Sequence, residues 1–175
     1  MRVFFRIKII CFIAIFSLTT PLLAIMKGLG IEELTRASEA VIIGDVVSAG
    51  AQWSKDGKII FTSASIVISD VIKGKVPKRQ IIVEYEGGEI GDIGLRVSDV
   101  PHLIKGEKVI LFLKSGKSRK DGVAYNMVGK AQGKYTIDEN GIARKGGFTT
   151  VDSKEVVDNN IPTDELIDRI RRVEQ

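Results

Sequence analysis

The stretch Ile60–Ile72 constrains the fold of this chain more than any other. Its even positions are Ile60, Thr62, Ala64, Ile66, Ile68, Asp70 and Ile72; the odd positions from 63 to 69 are Ser63, Ser65, Val67 and Ser69. One row is mostly apolar and the other mostly small and polar. That period of two belongs to a β-strand with one face on a core. Residues 123–137 alternate in the same way, with Tyr125, Met127, Tyr135 and Ile137 in one row and Asn126, Lys130, Lys134 and Thr136 in the other. Ile66, Ile68, Tyr125 and Met127 are therefore expected to face a core. A straight strand over 123–137 would reach about 50 Å at about 3.3 Å per residue. That is too long for a small domain, so Gly129 and Gly133 are expected to bend it.

Other segments fit the same class. Ala40–Val47 and Ile81–Glu86 are rich in β-branched residues and read as strands. Val109–Leu113 (VILFL) is continuously apolar, as a strand buried on both faces would be. Asp56-Gly57 and Asn140-Gly141 suit tight hairpin turns, because glycine tolerates positive φ. Two helices are expected. Ile31–Ser38 places Ile31, Leu34 and Thr35 on one face, with Glu32 four residues before Arg36. The segment 163–174 has Thr163 as its cap, acids in its first turn, Arg171 and Arg172 in its last, and a stripe of Leu166, Ile167, Ile170 and Val173. The fold class is mainly β: a small Greek-key, OB-like barrel with a short N-terminal and a C-terminal helix. The alternative is a β-sandwich, which uses the same alternation.

Residues 1–24 have a different character. Arg2, Arg6 and Lys8 precede an apolar run from Ile9 to Leu18, and Ala24 offers a small residue for cleavage. This is the order of a secretory signal peptide. The run is too short for a membrane anchor, which needs roughly 20 apolar residues. The expectation is a signal peptide over 1–24, a single domain over 25–175, a secreted or periplasmic location and no membrane span after cleavage. The leader also explains the charge. The chain has 26 Lys and Arg against 22 Asp and Glu, for a net charge of +4. Three of those positive charges lie in the leader, and the remainder is too balanced and dispersed for a nucleic-acid footprint.

Composition narrows the chemistry further. The single cysteine is Cys11, within the leader, so the mature chain has none for disulfides, cysteine-ligated zinc or thiol catalysis. His102 is the single histidine, which rules out a multi-histidine metal site within one chain. No cofactor and no metal are expected.

Several stretches together carry a resemblance: ELTRASEAVIIGDVVS, AQWSKDGKIIFTSASIVISDVIKG, the pair Gly87-Gly88, and VPHLIKGEKVILFLKS continuing to YNMVGKAQGKYTI. With the closing IPTDELIDRIRRV, they are similar to an uncharacterised extracytoplasmic bacterial domain that resembles the netrin-like and metalloproteinase-inhibitor barrel, an OB fold. The resemblance implies a barrel that binds a secreted partner. It departs from that family in having no cysteine after the leader, which removes the N-terminal cysteine that inhibitory members present to zinc.

The candidate functional residues are few. Trp53 lies before the Asp56-Gly57 turn in a domain poor in aromatics, where it either closes a barrel mouth or anchors a partner. Glu84, Glu86, Glu89 and Asp92 surround Gly87-Gly88, a pattern shared by a hydrolase or calcium site and by a solvated hairpin tip. His102 could act as a base with Ser98 and Asp99, or pack as a loop residue. The basic stretch Lys114–Lys120 reads as a loop between strands, with an anionic surface as its alternative target. The expected function is a non-enzymatic binding or accessory module for an unknown extracytoplasmic protein, with Trp53 in the partner-binding surface. The alternative is an extracytoplasmic hydrolase using the acidic loop 86–92 or the His102 segment.

Overall fold

A computed structural model of the chain describes residues 28–119, 122–148 and 158–175. The leader 1–24 and Lys120 lie outside the described residues. The described chain is mainly β, with two helices and one large sheet.

Helix α1 (Ile31–Ala37) leads into two 14-residue strands, β1 (Ala40–Trp53) and β2 (Ile60–Lys73), which form a long antiparallel hairpin. β3 (Gln80–Glu86) pairs antiparallel with β2. A small separate hairpin follows, of β4 (Gly88–Ile90) and β5 (Ile93–Leu95). β6 (Lys108–Arg119) and β7 (Gly122–Met127) are antiparallel neighbours, and β7 also lies parallel to β3. The remaining strands are β8 (Lys134–Ile137), β9 (Ile142–Arg144) and β10 (Ile161–Pro162), and helix α2 (Thr163–Val173) ends the fold. The large sheet runs β1-β2-β3-β7-β6-β8-β9-β10, and β6 also pairs with β1, so the first five strands form a series that returns to its start.

This arrangement gives β1 and β6 two buried faces. Ile42 and Val46 of β1 and Val109, Leu111 and Leu113 of β6 join Ala64, Ile66, Ile68, Val83, Tyr125 and Met127 in one core. The alternate residues, Val41 and Ile43 of β1 and Ile110 and Phe112 of β6, enter a second core. There they meet Ile31 and Leu34 of α1 and Leu166 and Ile170 of α2. The unbroken VILFL run is thus a strand between two cores, and the inward placement of Ile66, Ile68, Tyr125 and Met127 is as expected.

Four local expectations are corrected. Residues 123–137 do not form one bent strand. β7 stops at Met127, Gly129 takes a left-handed φ of 65°, and a 3-10 turn over Lys130–Gly133 separates β7 from β8. Each strand pairs with a different part of β6, and the expected alternation is not kept throughout: Lys134, expected outward, is buried, and Val123 is exposed while Ala124 is buried. The basic stretch beginning at Lys114 is no loop: β6 continues through it to Arg119. Thr163 does not cap α2; it is the first helical residue, and its hydroxyl donates to the Gly141 carbonyl at 2.8 Å. Glu32 pairs with Arg169 of α2 at 2.8 Å rather than with Arg36, because Arg169 is partly withdrawn from water and Arg36 is exposed.

Candidate functional site

The tip of the β1–β2 hairpin is held by one side chain. Ser54 Oγ donates to Asp56 Oδ1 at 2.6 Å and accepts from the amides of Lys58 at 3.2 Å and Ile59 at 3.0 Å. The Ser54 amide donates to the Ile59 carbonyl at 2.7 Å, and Gly57 takes a φ of 68° to complete the turn. The sequence folds this way locally because serine and aspartate satisfy turn amides and glycine admits the left-handed residue.

Trp53 is fixed by this geometry. It pairs across the hairpin with Ile60, which is 1% exposed, so both belong to the inward-facing row. Yet Trp53 is 42% exposed, because the row has run past the end of the core. Its neighbour Ile59 is 43% exposed. Trp53 is therefore no core residue: its indole stands at the end of β1, beside the tied turn and open to solvent. The β4–β5 hairpin lies beside it. Gly88, at φ 132°, sits so close to β1 and β2 that an added Cβ would come within 2.6 Å of Thr62 Oγ1 and 2.7 Å of the Ala51 Cβ. Glycine is required there for both its conformation and its lack of bulk. β5 adds two further apolar side chains at the surface, Ile93 and Leu95.

The other candidates are spread out. Glu84 accepts from Ser63 Oγ at 3.0 Å across the β2–β3 pair. Glu86 is at the exposed end of β3, Glu89 is on β4, and Asp92 is in the β4–β5 turn. Among the described residues no group of three or more His, Cys, Asp and Glu side chains comes together to hold a metal ion. His102 is exposed, and it shares no hydrogen bond with Ser98. What anchors its loop is the backbone: the buried Lys134 ammonium donates to the His102 carbonyl at 2.5 Å and pairs with Glu107 at 2.6 Å. Asp138 holds the turn after β8: its Oδ1 accepts from the amides of Asn140 and Ile142, and the Ile142 bond, helped by the Arg144 side chain, keeps the carboxyl below its usual range.

One polar cluster has no counterpart in the sequence reading. Arg169 of α2 bridges Glu32 of α1 at 2.8 Å and Asp158 at 2.9 Å. Burial opposes its charge, but the two carboxylates keep it firmly protonated. Beneath it, the Lys145 ammonium lies 4.7 Å from the centre of the Tyr135 ring and donates to the Leu29 carbonyl at 3.3 Å. Burial lowers its pKa from 10.5 to about 8, and the same burial raises that of Tyr135. These residues are up to 137 positions apart in the chain, so no local spacing announces them. Their contacts tie α1, α2 and the start of the domain together, which is a structural task.

No protein-family model matches the chain, and no curated protein matches it.

Proposed function

We propose that the protein is a non-enzymatic binding module that acts outside the cytoplasm and docks a protein partner through the Trp53 end of the sheet. The observation that carries this reading is the Trp53 indole, 42% exposed on a turn tied by Ser54. A solvent-facing aromatic with few rotatable bonds buries much area on binding, as interface anchors do. Ile59 beside it, with Ile93 and Leu95 on the neighbouring hairpin, supplies apolar surface for the surround. The scaffold is an OB-type barrel akin to the netrin-like fold. In support, the strand pairings run β1-β2-β3-β7-β6 and back to β1, with β3 and β7 parallel. The leader-like order of residues 1–24 supports the extracytoplasmic location.

The test is affinity capture from the extracytoplasmic fraction with the native sequence and with Trp53→Ala. The substitution is expected to weaken capture by about 2 kcal/mol or more, roughly thirtyfold. Unchanged capture by Trp53→Ala would move the interface elsewhere. A parallel screen with esters, glycosides and peptides is expected to give no rate above background. Turnover that vanishes in a folded His102→Ala or Glu89→Ala protein would replace binding by hydrolysis.

A further inference from the structure

A second, unrelated feature lies where two strands of the sheet separate. β3 and β7 pair through Ile82–Ala124 and Val83–Tyr125. One step further along, the strands part, and a cleft of about 400 Å3 opens beside Glu84, Glu86, Asn126, Lys114 and Lys130. Val83, Tyr125 and Leu113 belong to the core inside the strands. Strand side chains alternate, so Glu84, Asn126 and Lys114 project outward. Lys114 is in register with Asn126. Asn126 and Lys114 therefore stand about 4.8 Å apart on β7 and β6, and Glu84 projects from β3 on the far side of the gap. Glu86 repeats the carboxylate two residues along β3, and Lys130 brings a second ammonium from the turn after β7.

The walls of the cleft are held in place. The Tyr85 hydroxyl accepts from the Leu103 amide at 3.2 Å and fastens the loop that contains Pro101 against β3. Three described non-glycine residues have left-handed φ, and two of them flank this cleft: Asp99 at 58° and Lys130 at 55°. The Ala131 amide locks them together by donating to the Asp99 carbonyl at 3.0 Å. Such conformations cost an L-residue about 1 kcal/mol or more and cluster at ligand-binding segments.

We propose that this cleft binds a short peptide with free termini, its ammonium toward Glu84 and Glu86 and its carboxylate toward Lys114 and Lys130. The polarity of the lining selects a zwitterion, since a ligand of one sign would be repelled at one end. Length selects the size. The span from β6 across β7 and the opened gap to β3 exceeds two strand spacings, about 10 Å, and an extended chain covers at most about 3.6 Å per residue, so a single amino acid is too short and three residues or more are needed. The volume of about 400 Å3 also suits a molecule of that size. Tyr85 and Pro101 offer apolar contact to small side chains.

The test is calorimetric titration of trialanine into the purified protein, with N-acetyl-trialanine amide as the charge-blocked control. Saturable binding of trialanine is expected, weaker by about tenfold or more for the blocked peptide and in the charge-reversed variants Glu86→Lys and Lys114→Glu. Both substituted positions are exposed, so circular dichroism and melting should show the fold intact. Trp53→Ala should bind trialanine unchanged, which separates this site from the partner-docking surface. Failure of trialanine to bind, equal binding of the blocked peptide, or indifference to both charge reversals would each overturn the proposal.

Discussion

The two cores share strands but not character. The core inside β1, β2, β3, β6 and β7 is made of aliphatic side chains with Tyr125, Met127 and Leu103. The core between β1, β6 and the two helices is also apolar at its centre, but the ion pairs of Arg169 with Glu32 and Asp158, and the Lys145 ammonium on the Leu29 carbonyl, border it. The difference follows from the elements. Antiparallel strands satisfy each other's backbone, so their inner face can be wholly apolar. Helix ends, and the segment that leads into α1, leave amides and carbonyls that side chains must satisfy. Here Asp158 accepts from the Ile31 amide at 3.1 Å, Gln132 accepts from the Leu29 amide at 2.6 Å, and Lys73 donates to the Thr35 carbonyl at 2.7 Å.

The largest expected break of this contrast is a charge in the apolar core. Ile66 is fully buried among aliphatic residues. Ile66→Asp should destabilise the fold by about 4 kcal/mol or more, because the carboxylate gains no partner there. An unchanged melting temperature would show that Ile66 does not face the core.

Next come the neighbours Leu111 and Phe112, both fully buried but in different cores. Leu111→Ala and Phe112→Ala should each cost about 2–5 kcal/mol. Although adjacent in sequence, they project from opposite faces of β6, so the double variant should be additive within about 0.5 kcal/mol. A coupling well above that, measured by denaturant unfolding, would mean that the two cores respond as one.

A smaller effect sharpens the contrast by pH. In the fold, burial holds the Lys145 pKa at about 8, against 10.5 ordinarily. Between these values the unfolded chain keeps a proton that the folded protein has lost. Stability should therefore be penalised below pH 8 and rise with pH above it. Tyr135, whose pKa burial raises, opposes the rise above about pH 10, where an unfolded tyrosine ionises. From pH 8 to 10 the gain should be on the order of 2 kcal/mol, and Lys145→Met should flatten it. A flat profile for the native sequence in denaturant titrations would show that Lys145 keeps its ordinary proton affinity.

The smallest effect on stability belongs to Trp53→Ala. An indole exposed beyond the end of the core should contribute less than about 1 kcal/mol to folding, whatever it contributes to binding. A loss of several kcal/mol in the isolated protein would make Trp53 a packing residue.

The alternation at Ile60–Ile72 and the VILFL run were legible because a period of two, or its absence, reports directly how many faces a strand buries. The Asp56-Gly57 and Asn140-Gly141 turns were legible because their φ demands are local: Gly57 and Gly141 both adopt the left-handed region. Residues 123–137 were misread because alternation continues through Gly129–Gly133. Nothing in the pattern separates a bent strand from two strands with a 3-10 turn between them. The exposure of Trp53 was open for a related reason, since pairing with Ile60 sets its face but not how far the core extends.

By itself, the sequence determined the class of the fold, most strand positions, the two helices and the inward rows, since each depends on spacing within one segment. The tertiary structure alone decided that β3 and β7 run side by side and then part, and that Arg169 reaches Glu32 rather than leaving it to Arg36. It also set Lys114 beside Asn126, with Glu84 across the gap where β3 leaves β7. These relations join residues from distant segments, and their energies arise only after the chain has crossed over and excluded water between them.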